Sequence, residues 1–157
     1  MKILLLLVGK NDTSWLRNAV ETYEERLSHY ADYKRVELPE LKGVSGMSQQ
    51  QIKEKEGEMI LKNVKLSDTL ILLDERGSLR TSEEFARYIE KYTVSGTRNI
   101  IFVVGGAYGF SEKVYQRADD MISLSRMTFP HQMVRLVFLE QLYRAHTIIK
   151  GEPYHHK

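Results

Sequence analysis

Four short segments of this chain carry residues suited to holding a small molecule and moving a proton near it. Gly105-Gly106-Ala107-Tyr108-Gly109 follows the apolar run Ile100-Ile101-Phe102-Val103-Val104, so a glycine-rich turn closes a buried strand. Glycine lets backbone approach a ligand closely and adopt positive φ, and a plain strand-to-helix turn uses the same freedom. Leu124-Ser125-Arg126-Met127-Thr128-Phe129 interleaves small polar residues with large apolar ones. Such a stretch can offer backbone N–H and C=O groups to an adenine while apolar side chains sandwich the ring; it also fits a strand end leading into a helix. Leu72-Leu73-Asp74-Glu75-Arg76-Gly77 places acids and a glycine after an apolar run. Ligand crevices form at the carboxyl ends of strands in α/β sheets, although a plain polar turn has the same composition. The fourth segment, Lys150-Gly151-Glu152-Pro153-Tyr154-His155-His156-Lys157, combines a stacking ring, proton-transfer groups and cations. Its alternative is a frayed tail without a role.

Several chemistries are excluded or disfavoured. There is no cysteine, which rules out disulfides, thiolate metal sites and cysteine nucleophiles, and which fits a cytoplasmic protein. His155-His156 with Glu152 is too compact for a metal cage. The first apolar run ends in Val8-Gly9-Lys10-Asn11, which lacks the G-x-G-x-x-G dinucleotide pattern, and no Walker loop occurs anywhere. Asp119-Asp120 reads as a pair of solvated helix-end charges. The net charge of +2 gives no global field for nucleic acid. Its distribution is skewed, however: from residue 121 onward there are five Lys/Arg against two acids, and four of the five histidines. The six-residue run Ile3–Val8 is too short for a signal-peptide core or a membrane span.

These segments need elements to position them. A chain of 157 residues, 42% hydrophobic and 28% charged, fits one globular domain over residues 1–157. Strands are expected at Lys2–Val8, Lys34–Leu38, Thr69–Leu73, Asn99–Val104 and Met121–Leu124. The third and fourth are continuous apolar runs, which suit strands covered on both faces. Helices are expected over Asp12–His29, from Ser48 to about Asn63, from Thr81, from Ser111, and from Pro130. Ser48-Gln49-Gln50-Gln51 has the capping-box pattern. The alternation argues an α/β fold with a mostly parallel sheet flanked by helices. Pro39–Met47, with Gly43 and Gly46, is the one candidate mobile loop.

The chain resembles the bacterial ribosomal RNA large-subunit methyltransferase H family, small members of the SPOUT methyltransferases. The resemblance spans nearly the whole length. It is carried by Met1-Lys2-Ile3 with Val8-Gly9-Lys10, Lys53-Glu54-Lys55-Glu56-Gly57-Glu58, Gly105-Gly106-x-x-Gly109, Ser125-x-Met127-Thr128-Phe129-Pro130-His131, Glu140-Gln141-Leu142-Tyr143-Arg144-Ala145 and Gly151-x-Pro153-Tyr154-His155. It implies a C-terminal part threaded as a trefoil knot, which the rarity of knots would otherwise argue against. It also implies a homodimer with S-adenosylmethionine bound by Leu73, Gly105, Leu124, Ser125, Arg126, Met127, Thr128 and Phe129. The implied reaction is methylation of N3 of a pseudouridine in stem-loop 69 of 23S ribosomal RNA, with the assembled 70S ribosome as substrate. No metal and no membrane are implied.

For that reaction His155 is the expected proton acceptor, with His131 and Glu140 as alternatives. Arg144 and Tyr154 are expected to hold RNA phosphate or stack on the base. Two other readings compete: a ribosome-binding factor without catalysis, and a flavodoxin-like nucleotide or phosphate binder.

Overall fold

The computed structural model describes residues 1–9 and 13–156. Five strands form one parallel sheet: β1 (Lys2–Val8), β2 (Asp32–Leu38), β3 (Thr69–Leu79), β4 (Asn99–Val104) and β5 (Asp120–Ser123), in the order β2-β1-β4-β3-β5. The helices are α1 (Ser14–Ser28), α2 (Gln49–Lys62), α3 (Ser82–Val94), α4 (Glu112–Arg117) and α5 (His131–Ile149).

Alternate residues of the central strands serve two cores. Ile3, Leu5, Leu7, Ile71, Leu73, Ile100, Phe102 and Val104 pack with α1, α3 and α5 through Val20, Leu27, Phe85, Ile89, Phe138 and Leu142. Leu6, Val8, Leu70, Leu72, Ile101 and Val103 pack on the other face with Ile60 of α2 and Val114 of α4. Apolar side chains on both faces explain the uninterrupted runs in the sequence.

Local signals fix the helix starts. Ser48 and Thr81 each close a complete capping box, with Gln51 and Glu84 returning the bond. Thr81→Ala should therefore lower stability by about 1 kcal/mol, a fall of roughly 2–4 °C in Tm for a domain of this size. A melt superimposable on the wild type would show that the box contributes nothing. Pro130 takes the cap position before α5 rather than its first turn. Gly151, at φ 69°, ends α5, and the Glu152 N–H donates to the Thr147 carbonyl behind it. Arg135 of α5 is fully buried and donates through Nη2 to the Val8 carbonyl (2.8 Å), tying the helix to the end of β1.

Boundaries differ modestly from those expected. β2 begins two residues earlier, at Asp32, and β5 spans Asp120–Ser123. The described part of α1 begins at Ser14 with Thr13 at its cap; the expected start at Asp12 lies outside the described residues. The 39–47 excursion carries a short 3-10 turn, Val44–Gly46.

Two differences matter more. Asp119 and Asp120 are not merely solvated: the Leu70 N–H donates to Asp119 (2.7 Å) and the Tyr88 hydroxyl to Asp120 (2.8 Å), pinning the start of β5 against β3 and α3. And β3 does not stop at Leu73 but runs to Leu79. Its two halves meet the same partner, since Leu73 and Ser78 both stand opposite Ile122 of β5. Between them Gly77 lies flat on the Ile122 backbone, where an added Cβ would sit 2.6 Å from the Ile122 nitrogen and carbonyl carbon. Only glycine permits that approach.

Candidate functional site

A cavity of about 860 Å³ opens at the carboxyl ends of β3, β4 and β5. This is the edge where parallel α/β sheets bind ligands, and the volume lies in the ordinary range for small-molecule sites. Its walls come from Leu73 to Arg76 at the middle of β3, Val104 to Phe110 after β4, Ile122 to Ser125 after β5, and Met127, Thr128, Phe129, His131 and Val134 leading into α5.

Three of the four segments singled out by sequence therefore converge. Of the residues expected to hold a cofactor, Leu73, Gly105, Leu124, Ser125, Met127, Thr128 and Phe129 all line the cavity. Arg126 does not; it is exposed and outside the lining. Residues 124–129 belong to neither helix nor strand, so their backbone polar groups are not taken up in a regular ladder. Ser123 and Ser125 brace the segment: the Ser123 hydroxyl donates to the Ser125 carbonyl, and the Met127 N–H donates to the Ser125 hydroxyl, both at 2.9 Å. Met127, 78% exposed, and Tyr108, 46% exposed, leave apolar surface at the rim, unlike the buried core behind them.

A further stretch of wall comes from α2. Gln49, Gln50 and Lys53, from the first turns of α2, also line the cavity. Their spacing puts them on one helix face, but nothing in the local sequence says that the face looks into a cavity. Asp74 is almost covered; the Tyr115 hydroxyl donates to it and Arg76 pairs with it at 3.5 Å while lying over the Tyr115 ring.

The C-terminal residues form a separate cluster. Glu140 accepts from the Arg144 guanidinium and from the Tyr154 hydroxyl (3.1 Å). Arg144 lies 4.8 Å from the centre of the Tyr154 ring and contacts His155 Nδ1 at 3.1 Å. The other His155 ring nitrogen faces Glu83 of α3 at 3.6 Å. Burial, then contacts with Tyr23 and Glu140, push the Tyr154 phenol up, so it is a hydrogen-bond donor near neutral pH. The bond to Glu140 raises Arg144 further, keeping it charged.

This cluster and the cavity are not adjacent. Val134 lines the cavity and Arg144 lies ten residues further along α5, about 15 Å away at the helical rise. Within one chain, His131 is the candidate base at the cavity, while His155, Tyr154, Arg144 and Glu140 stand at the far end of the helix. Among the described residues no group of three or more metal-binding side chains is placed to hold an ion, and no helix is long and apolar enough to cross a membrane.

Residues 1–155 match the family described as predicted SPOUT methyltransferase. The chain belongs to the SPOUT methyltransferase family. It is 52% identical over 157 residues, the full length of both chains, to a protein of Christiangramia forsetii named ribosomal RNA large subunit methyltransferase H. It is 50% identical, again over both full lengths, to the protein of that name from Parabacteroides distasonis. In fold it is similar to a probable methylase family protein from Haemophilus influenzae, with a TM-score of 0.52 and 15% identity, over 95% of this chain and 66% of that one.

Proposed function

We propose that this protein is an S-adenosylmethionine-dependent methyltransferase of large-subunit ribosomal RNA, acting on N3 of a pseudouridine in stem-loop 69 of 23S RNA within the assembled 70S ribosome. The observation that carries the reading is the cavity at the ends of β3, β4 and β5, which gathers the apolar walls and glycine backbone that an adenosyl group needs. The names of relatives alike over their full length support the RNA substrate. A cytoplasmic location follows from that substrate.

The cavity residues suit the methyl donor. Leu73, Val104, Ile122 and Leu124 offer apolar surface to a ring, and Gly105 brings backbone within reach. The donor supplies a methyl group on a sulfonium that leaves readily, so the protein's part is mainly alignment. His131 lines the cavity, which supports it as the group that takes the N3 proton directly or through a water; His155 stands in the tail cluster.

Arg144, Tyr154 and His155 lie too far along α5 to meet the cavity of their own chain. A homodimer, in which one subunit's tail cluster faces the other's cavity, would bring them together. Such a site would be incomplete in a single chain. A C-terminal part threaded as a trefoil knot belongs to the same proposal, on family membership alone.

The test is transfer of labelled methyl from S-adenosylmethionine to ribosomes that carry the pseudouridine without its methyl group, beside free large subunits and uridine-containing ribosomes. Transfer to the first substrate alone is expected. Donor binding with no transfer to any of them would overturn the substrate. Absence of both would leave a ribosome-binding protein without catalysis.

A further inference from the structure

Glu56 stands apart from every role described so far. It lies on α2, one turn beyond Lys53, and its carboxylate is pressed against the glycine loop. A Cβ built on Gly106 would meet Oε2 at 2.6 Å and Oε1 at 2.7 Å, so only the absence of a side chain at Gly106 lets the two meet. Gly106 itself lines the cavity. Oε1 is fully covered and has no hydrogen-bond partner among the described residues. None of the ion pairs among the described residues includes Glu56. Burial raises its carboxyl above the usual range.

A covered carboxylate without a partner is costly: it either takes up a proton or is met by a counter-charge, and a cation brought beside it favours the charged form. The other covered acid at the cavity, Asp74, is already matched by Tyr115 and Arg76. Glu56 touches Gly106 and Gly106 lines the cavity, so a cation bound against Gly106 would face the carboxylate across that one glycine. The geometry points to Glu56 as a positioning residue that sets ligand charge preference: through the Gly106 backbone its carboxylate favours the cationic sulfonium of the methyl donor over the neutral thioether of the demethylated product. The preference would hold the donor in place and help release the product after transfer. It rests on the methyl-donor reading above, which specifies no such residue.

Three ligands separate charge from shape. S-adenosylmethionine carries a sulfonium, sinefungin an amine at the equivalent position, and S-adenosylhomocysteine a neutral sulfur. All share the adenosine and the amino-acid end, so differences among them isolate that one position. Their dissociation constants would be measured by calorimetry with the full chain. Glu56→Gln, matched in shape, should weaken both cations roughly 10-fold and the neutral product by less than about twofold. Glu56→Asp, which keeps the charge, should retain most of the preference. Equal loss for all three ligands, or no change, would mean that Glu56 only fills space and would overturn the inference. Wild-type protein that prefers the neutral product to both cations would overturn it without recourse to any variant. Wild type that binds none of the three would overturn the methyl-donor reading itself.

Discussion

A chain ending at Pro153 should bind S-adenosylmethionine about as tightly as the full chain and transfer methyl groups roughly 10²-fold more slowly or worse. The expectation follows from where the residues stand. The cavity is walled by β3, β4, β5, the start of α2 and the approach to α5, none of which lies beyond Val134. Tyr154 and His155 dock at the other end of α5, held by Glu140, Arg144 and Glu83. Removing residues 154–157 opens polar, part-exposed contacts and takes nothing from the hydrophobic cores. Calorimetry with the donor and a ribosome methylation assay would be run on the same preparation. Unimpaired transfer would remove the tail from the mechanism and leave His131 and Glu140 as the remaining candidate bases. A matched loss of donor affinity would show instead that the tail closes the cofactor site.

The second large effect lies at Gly77. Gly77→Ala should destabilise the protein by about 1–3 kcal/mol and weaken donor binding in parallel. The obstacle is the Ile122 main chain at 2.6 Å, which has no rotamer to move out of the way. Relief requires separating the second half of β3 from β5, and that displaces Leu73, Ile122 and Leu124 from the cavity wall. Gly46→Ala is the control: nothing lies within 4 Å of its added methyl and its φ is not positive, so it should be neutral or slightly stabilising. Urea unfolding of both variants decides the matter. A Gly77→Ala midpoint equal to the wild type would show that the close approach of Gly77 to the Ile122 main chain contributes nothing to stability.

The parts of this molecule visible in its sequence were those governed by nearby residues. Continuous apolar runs marked β1, β3 and β4 because both faces of the sheet are covered. Ser48, Thr81 and Gly151 marked helix ends because capping is settled within a few residues. The glycine loop and residues 124–129 marked the cavity because close backbone approach and mixed polarity are local properties too. What stayed hidden depends on partners distant in the chain. Asp74–Leu79 looks like a polar turn until β5 is laid beside it. Gln49, Gln50 and Lys53 resemble any solvated helix face until α2 is placed over the glycine loop. Glu56 belonged to a motif carried only by family resemblance, and its covered, unpartnered oxygen became apparent from its contact with Gly106. The tail's distance from the cavity could not be read at all, because residue types do not say which way a long helix points.

The pairing of both halves of β3 with Ile122 also bears on how the protein comes into being. A polypeptide leaves the ribosome N-terminus first, and its early parts can begin to fold while the rest is being made. Here Leu73 and Ser78 wait for a partner that emerges much later, with α3, β4 and α4 synthesised in between. The nascent chain can assemble β1, β2 and the first helices, but neither the ligand-binding edge nor the second half of β3 can settle until Ile122 is free of the exit tunnel. Chains released early by a stop codon or a stalled ribosome would thus carry an unfinished edge and no cofactor site. Competence to bind the cofactor comes only with the last third of the chain.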